Sequence, residues 1–268
     1  MNYKYMNCKA LFFDIDGTLV SFNTHTIPQS AIDAIAKARR SGVKVFISTG
    51  RPMRLINNLG AIEHLVDGYI TANGACCTIG GEVIACREIP RQEAEALVEA
   101  ARREGFAMLV VGENDLTVVN DNADVDRYFR QMLDVKDLGE GISLDTVMAQ
   151  RIIQLTPIIP EADERRLMPL LPTCVSARWF PAFTDITARG ADKGTALLTV
   201  AAHLGISAEE TVAFGDGGND KSILQAAGIG IAMGNAPDDV KAAADHVTAS
   251  VDEDGVAKGI NSFLRINS

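Results

Sequence analysis

Apolar positions along this chain follow one rhythm at both ends and a different one in the middle. Short, mostly apolar runs at Leu11-Phe12-Phe13 and Val43-Lys44-Val45-Phe46-Ile47 predict strands. Between them, Pro28 to Arg40 places Ile32, Ile35 and Ala36 on one helical face, and Gly42 follows as a stop signal. A helix joining two strands predicts a right-handed parallel crossover. Tyr69-Ile70-Thr71 predicts a third strand, ending at Asn73-Gly74.

From about residue 75 the pattern changes. Cys77-Thr78-Ile79 and Val83-Ile84-Ala85 flank Gly80-Gly81, which reads as a hairpin. Helices over 91–104, 123–133 and 161–171 then interleave with strands near 106–111, 115–120, 151–156 and 174–180. Paired short strands mixed with helices predict an α+β insertion. After Ala188 the parallel rhythm returns: helix 192–204, strand 211–214, helix 219–227, strand 229–232, helix 237–244, strand 246–248 and a helix near 255–265. The predicted class is α/β, a parallel-sheet core interrupted by a second domain. The boundaries expected from the pattern are 1–82 with 186–268 for the core, and 83–185 for the insert.

Composition narrows the function classes. With 268 residues and a formal charge of −10, the chain can bury a full core, and a nucleic-acid backbone is not its expected partner. No apolar run approaches the ~18 residues of a membrane span. The stretch Met1 to Asn7 lacks a signal-peptide hydrophobic region, so the expected location is cytoplasmic. The five cysteines show no Cys-x-x-Cys spacing, which favours reduced, mostly buried thiols. An anionic substrate would have to be held by local cations, backbone amides and a metal.

Candidate chemistry sits where an α/β sheet presents ligand-binding residues, at the carboxyl ends of strands. Asp14-Ile15-Asp16-Gly17-Thr18 follows the first strand. Two carboxylates two residues apart disfavour joint ionisation unless a proton or cation intervenes. Mg2+ coordinated by oxygen would relieve that, and the pair suits an aspartyl nucleophile beside an acid/base carboxylate. A plain polar turn would fit this pentapeptide equally well. Ser48-Thr49-Gly50-Arg51 follows the second strand and can meet a phosphate, or simply start a helix. Lys193 lies near the start of a predicted helix, the positive end of its dipole, and so needs solvent or an anion nearby. Gly215-Asp216-Gly217-Gly218-Asn219-Asp220 offers oxygen donors on a backbone that glycine lets a ligand approach. It is not a dinucleotide fingerprint.

Taken together, Asp14-x-Asp16-Gly17-Thr18, Thr49-Gly50-Arg51, Lys193 and Gly215-Asp216-x-x-Asn219-Asp220 resemble the four ordered motifs of haloacid dehalogenase (HAD) superfamily phosphatases. The insertion between the second and third motifs resembles the α/β cap of the Cof-type, class IIB branch. Asn73-Gly74-Ala75 and Asp252-Glu253-Asp254-Gly255-Val256 are similar to that branch too. Arg178-Trp179-Phe180-Pro181 and the run Gly215 to Asp220 are similar to Bacteroides-type sugar-phosphate phosphatases.

The resemblance implies a HAD-like Rossmannoid core with a C2B-type cap, and a Mg2+-dependent phosphatase acting on small phosphorylated metabolites such as sugar phosphates. It implies Asp14 as nucleophile and Asp16 as acid, then base. Asp14, the Asp16 backbone carbonyl and Asp216 would hold Mg2+. Thr49, the amides of Ile15 and Gly50, Lys193 and Asn219 would hold phosphate, with Asp220 orienting Lys193 or a metal-bound water. Arg51 and Arg178 are candidates for substrate contact, Arg178 equally for a surface salt bridge. The expected partner is the small-molecule substrate, with no nucleic acid and no membrane, and the chain is expected to be a monomer or weak homo-oligomer. A phosphomutase or phosphotransferase, or a non-enzymatic phospho-acceptor module, shares much of this equipment.

Overall fold

The computed structural model describes residues 7–133 and 135–263, excluding the side chains of Trp179 and Phe263. Residues 1–6 of the N-terminal stretch and positions 264–265 of the last predicted helix therefore lie outside the described residues. The chain divides into two compact units, residues 1–49 with 58–85 and 192–268, and residues 50–57 with 86–191.

The described strands, in chain order, are β1 (Ala10–Phe13), β2 (Lys44–Ser48), β3 (Gly68–Thr71), β4 (Cys76–Ile79), β5 (Glu82–Cys86), β6 (Met108–Gly112), β7 (Leu116–Val119), β8 (Ile152–Pro157), β9 (Cys174–Phe180), β10 (Phe183–Ala188), β11 (Thr211–Gly215), β12 (Ile229–Ala232) and β13 (His246–Val247). The first unit is built on an eight-stranded sheet ordered β13-β12-β11-β1-β2-β3-β4-β5. Its strands run parallel from β13 to β3, and β4 pairs antiparallel with β3. The chain thus builds outward from β1 through β2 and β3 on one side, and through β11, β12 and β13 on the other. Winding reverses at β1, and the crevice at such a switch point is where α/β sheets take ligands.

All four residues of β1 are buried, as a central parallel strand covered on both faces requires. Phe12 stacks on Phe46 with ring centres 5.0 Å apart, on the face carrying Leu197, Val200, Ile223 and Leu224. Phe13 points the other way and stacks on Phe214, also at 5.0 Å. The helix Gly255–Phe263 lies over that second face, since a side chain added at Gly259 would strike the Phe214 ring. Stacked aromatics on both faces fix β1, β2 and β11 against sliding, which keeps their ends level.

The second unit is a five-stranded antiparallel sheet ordered β7-β6-β8-β10-β9. The helix Arg91–Glu104 buries Ala94, Leu97, Val98 and Ala101 among Met108, Val110, Leu155 and Ile186. Strand β10 departs from the sequence reading, which shows no strand there. Phe183-Thr184-Asp185-Ile186-Thr187-Ala188 lacks the apolar alternation of a strand, yet all six residues are buried. Its Asp185 is held by Gln154 Nε2 and Thr156 Oγ1 of neighbouring β8, each at 2.8 Å. Hydrogen bonds hold Asp185 in this strand, while Phe183 packs on Phe129 and Ile186 joins the apolar core of the unit.

The boundaries expected at 82/83 and 185/186 both fall inside strands, β5 and β10. Strand β5 extends the first sheet, so the hairpin belongs there rather than to the insert. Residues 50–57 group with the second unit, where Arg54 forms ion pairs with Asp115 and Asp137, both at 2.7 Å. The helix expected over 123–133 is an α-turn at Ala123–Val125 followed by a π-helical stretch, Asp126–Met132. The one expected over 161–171 is α-helical only to Leu167, and Pro169 falls in the tighter turn that follows. A short helix at Leu144–Met148 has no counterpart among the predicted elements.

Candidate active site

In the parallel register Phe13 lies opposite both Phe214 and Ile47, so β1, β2 and β11 end at one level. The residues just beyond, Asp14, Thr49 and Asp216, are therefore delivered to one edge of the sheet. The Asp14 amide donates to the Phe214 carbonyl at 3.0 Å, continuing the ladder one step past the strand. Helix Lys193–His203 begins with Asp192 as cap, its Oδ1 accepting from the Thr195 amide at 2.9 Å. That places Lys193 in the first turn, 1% exposed, with its ammonium turned to the sheet edge.

Lys193 Nζ donates to Asp14 Oδ1 and to Asp220 Oδ1, both at 2.6 Å. Asp220 is fully buried, and its other oxygen accepts from the amides of Asp216 (3.0 Å) and Gly217 (2.9 Å). Asp220 is thereby the link that ties the lysine to the glycine-rich loop. Asp216 accepts from Thr18 Oγ1 through Oδ1 at 3.1 Å and from Asn235 Nδ2 through Oδ2 at 3.1 Å. Carboxylate oxygens of Asp14, Asp216 and Asp220 lie within 4.8 Å of one another.

Gathering three acids around one ammonium has a clear electrostatic consequence. Burial, reinforced by the Asp220 charge, pushes the Asp14 carboxyl well above the ordinary carboxylate range despite the pull of Lys193. Burial and Asp220 push Asp216 up to about 7. Burial alone would lower Lys193, but Asp14 and Asp220 outweigh it and hold the ammonium above the usual lysine range. The cluster is short of positive charge, and its donors are hard oxygens. Both facts fit a small divalent cation of the Mg2+ type.

Gly17 shows why the first motif needs a glycine. Its φ is 86°, and a Cβ there would stand 2.2 Å from Asp216 Oδ2. The turn folds tightly, with the Gly17 amide donating to the Val20 carbonyl and the Val20 amide to the Ile15 carbonyl. Asp16 sits within it, half-buried and bridged to Val20. The carboxylate cluster takes in Asp220 rather than the Asp16 side chain. Thr49 is buried, its amide donating to the Ile70 carbonyl and its carbonyl accepting from the Asn73 amide. Asn219 Nδ2 donates to Asn73 Oδ1 at 2.9 Å.

The remaining expected residues are arranged differently. Gly50 and Arg51 fall in the segment grouped with the second unit, where Arg51 donates to the Leu55 carbonyl at 3.0 Å. Arg178 is committed within its own unit. It bonds Glu164 at 2.7 Å and the carbonyls of Pro181 (2.8 Å) and Ile159 (3.0 Å). Of the two readings for Arg178, the salt bridge is formed, with Glu164 as its partner.

One site-adjacent residue, Asn235, is absent from the sequence reading, and a second, Asp252, enters it only within the run similar to the Cof-type branch. Asn235 bonds the Gly17 carbonyl and Asp216 through Nδ2, and accepts from the Val251 amide. Asp252 anchors the loop after the first motif through Ser21 Oγ (2.5 Å) and Asn23 Nδ2 (2.6 Å). Asn235 lies three residues beyond β12, another strand ending on the same edge, and that position was the available signal.

Comparison with known proteins agrees with this architecture. A family profile described as haloacid dehalogenase-like hydrolase matches residues 11–260. The HAD subclass IIB sugar phosphatase BT4131 is 47% identical in a structural superposition with a TM-score of 0.87, covering 95% of this chain and 98% of that one. BT1666 from Bacteroides thetaiotaomicron, described among phosphatases of the same superfamily, is 35% identical with a TM-score of 0.84, over 98% and 97% of the two chains. YkrA of Bacillus subtilis strain 168, whose own phosphatase name is provisional, is 30% identical over 96% of this chain and 98% of its own length. The chain therefore belongs to the haloacid dehalogenase-like hydrolase family, as one of its phosphatases. No helix among the described residues is long and apolar enough to cross a membrane.

Proposed function

We propose that this phosphatase hydrolyses phosphate monoesters of small sugars, using Mg2+ and a covalent aspartyl-phosphate on Asp14. One observation carries the reading: buried Asp14 shares the Lys193 ammonium with Asp220, beside Asp216. An Asp14 oxygen attacks phosphorus, the phosphorus–oxygen ester bond breaks, and Asp16 gives its proton to the departing sugar oxygen. Asp16 then takes a proton from water, whose oxygen attacks the same phosphorus. The acyl-phosphate phosphorus–oxygen bond breaks, returning Asp14 and releasing inorganic phosphate. Lys193, Thr49, Asn219 and the amides of Ile15 and Gly50 hold the phosphoryl oxygens, where charge spreads in the transition state. Asp14, Asp216 and the Asp16 carbonyl would hold Mg2+, which supplies charge neutralisation at the phosphoryl group. Asp220 keeps Lys193 aimed at Asp14. The inserted α+β domain serves as the cap that selects the sugar, a reading supported by the named activity of the 47%-identical neighbour.

A phosphate-release screen tests this reading, with Mg2+ present and hexose, pentose, polyol and nucleotide monophosphates compared. Hexose and pentose phosphates are expected to exceed nucleotides by tenfold or more in kcat/KM. Isomerised sugar phosphate without free phosphate would replace hydrolysis by mutase chemistry.

The raised carboxyls also set a pH dependence. Asp216, and Asp14 likewise, hold protons in the folded metal-free protein that the unfolded chain releases above about pH 4. The folded state binds more protons, so metal-free stability falls as pH rises from about 4 through about 7. A cation that needs ionised ligands then stabilises most above that window. Mg2+ at a hundred times its dissociation constant contributes about 2.7 kcal/mol, or roughly 5–10 °C in Tm for a chain of this size. Thermal melts with and without Mg2+ should show that gain at pH 8 and little of it at pH 5.

A further inference from the structure

The turn after β3 carries a feature that the catalytic scheme leaves unused. Ala72, Asn73 and Gly74 all have positive φ, at 50°, 54° and 97°. Glycine adopts this conformation freely and asparagine with some cost, whereas alanine is strained there. A run of left-handed residues persists only where surrounding contacts hold it, and such strain gathers at functional sites. Here the contacts reach three of the four motifs. The Asn73 amide donates to the Thr49 carbonyl at 3.1 Å. Asn73 Oδ1 accepts from Asn219 Nδ2 at 2.9 Å. Gly74 lies so close to the Asp192 backbone that a Cβ would stand 2.3 Å from its carbonyl oxygen, one residue before Lys193.

Asn219 matters most in this arrangement. Its amide has an attractive N–H edge and a repulsive carbonyl edge for any anion, and rotating the group exchanges them. The surrounding acids already leave the site short of positive charge, so an exposed carbonyl would repel a phosphoryl group further. Asn73 Oδ1 is an acceptor, and it takes one of the two Asn219 N–H bonds. The bond holds the nitrogen on this side and leaves the second N–H available.

We propose that Asn73 is a positioning residue of the phosphate site, orienting the Asn219 amide so that an N–H, and not the carbonyl, meets the phosphoryl oxygens. The inference rests on the proposed phosphate-binding role of Asn219. Glycine is tolerated at φ 54° as well as asparagine or better, so Asn73→Gly keeps the turn and removes only the side-chain bond.

The test is calorimetric titration of orthovanadate in Mg2+ buffer, on wild type, N73G, N219A and the double variant, with Tm measured for each. N73G is expected to melt at or above the wild-type temperature and to bind vanadate about tenfold more weakly, the scale of one hydrogen bond of this kind. In the N219A background the same change is expected to have no further effect, because Asn73 acts through Asn219. Wild-type vanadate affinity in N73G overturns the inference. So does an N73G effect that persists undiminished without Asn219, since the turn would then act by another route. Should N219A itself bind vanadate like wild type, the assigned role of Asn219 fails, and this inference with it. A normal N73G beside a weakened N219A defeats the inference alone.

Discussion

Asp14→Asn is expected to abolish phosphate release while leaving the protein at least as stable as wild type. The two halves of that outcome come from one geometry. An amide is no nucleophile toward phosphorus, so the covalent route closes. By comparison with nucleophile removal in other covalent hydrolases, the loss should reach at least about 10⁴-fold in kcat. Stability moves the other way because Asp14 is an acid placed beside Asp216 and Asp220, and it shares its one lysine with Asp220. Its carboxyl is pushed well above the ordinary range, so ionising it costs free energy in the folded state. Asparagine keeps the Oδ1 acceptor for Lys193 and removes that cost. Without metal at pH 8, D14N should melt a few degrees above wild type, and the gap should close as the pH falls and wild-type Asp14 takes up its proton. Turnover in D14N within tenfold of wild type would remove Asp14 as nucleophile. A D14N protein that melts lower at pH 8 would show that the native cluster is not short of positive charge.

How far this site could be read from the chain depended on what each residue needed from its neighbours. Asp14, Thr49 and Asp216 were legible because strand-end positions in a parallel sheet all point to one edge, and a short apolar run marks each strand. Lys193 was legible as an anomaly, a cation at the positive end of a helix, and its resolution is the pair of carboxylates 2.6 Å away. Asn235 was not, since a lone asparagine after a strand looks like turn chemistry until its two donors and one acceptor are placed. Strand β10 was hidden because Thr184, Asp185 and Thr187 break the apolar alternation that marks a strand, while the hydrogen bonds that offset the burial of Asp185 come from β8. The hairpin at β4 and β5 is legible as a hairpin, but the boundary expected at 82/83 cuts it within β5. Local pattern fixes a hairpin, whereas only the pairing of β4 with β3 says which sheet it extends.

Lys193→Met is expected to give the largest stability loss of any single change in the cluster, and its rescue separates electrostatics from packing. Methionine matches the length of the lysine stem and keeps its packing, so the loss falls on the charge. Asp14 and Asp220 would then be buried with no cation between them. Removing one partner of a buried pair costs about 3–5 kcal/mol, which lowers Tm by roughly 6 °C or more in a chain of this size. Asp14 can escape by taking up a proton, so the deficit should be larger at pH 8 than at pH 5. Adding Asp220→Asn to K193M removes one of the stranded charges. The asparagine oxygen can still accept from the Asp216 and Gly217 amides, which now hold Asp220. Urea titrations at pH 8 should therefore show the double variant regaining a substantial part of the lost stability, while phosphate release stays absent because no ammonium faces the phosphoryl group. If K193M unfolds at the wild-type urea midpoint at pH 8, the ammonium is not what keeps these acids together. If the double variant is no better than the single, the loss belongs to packing, and the charge account of this site fails with it.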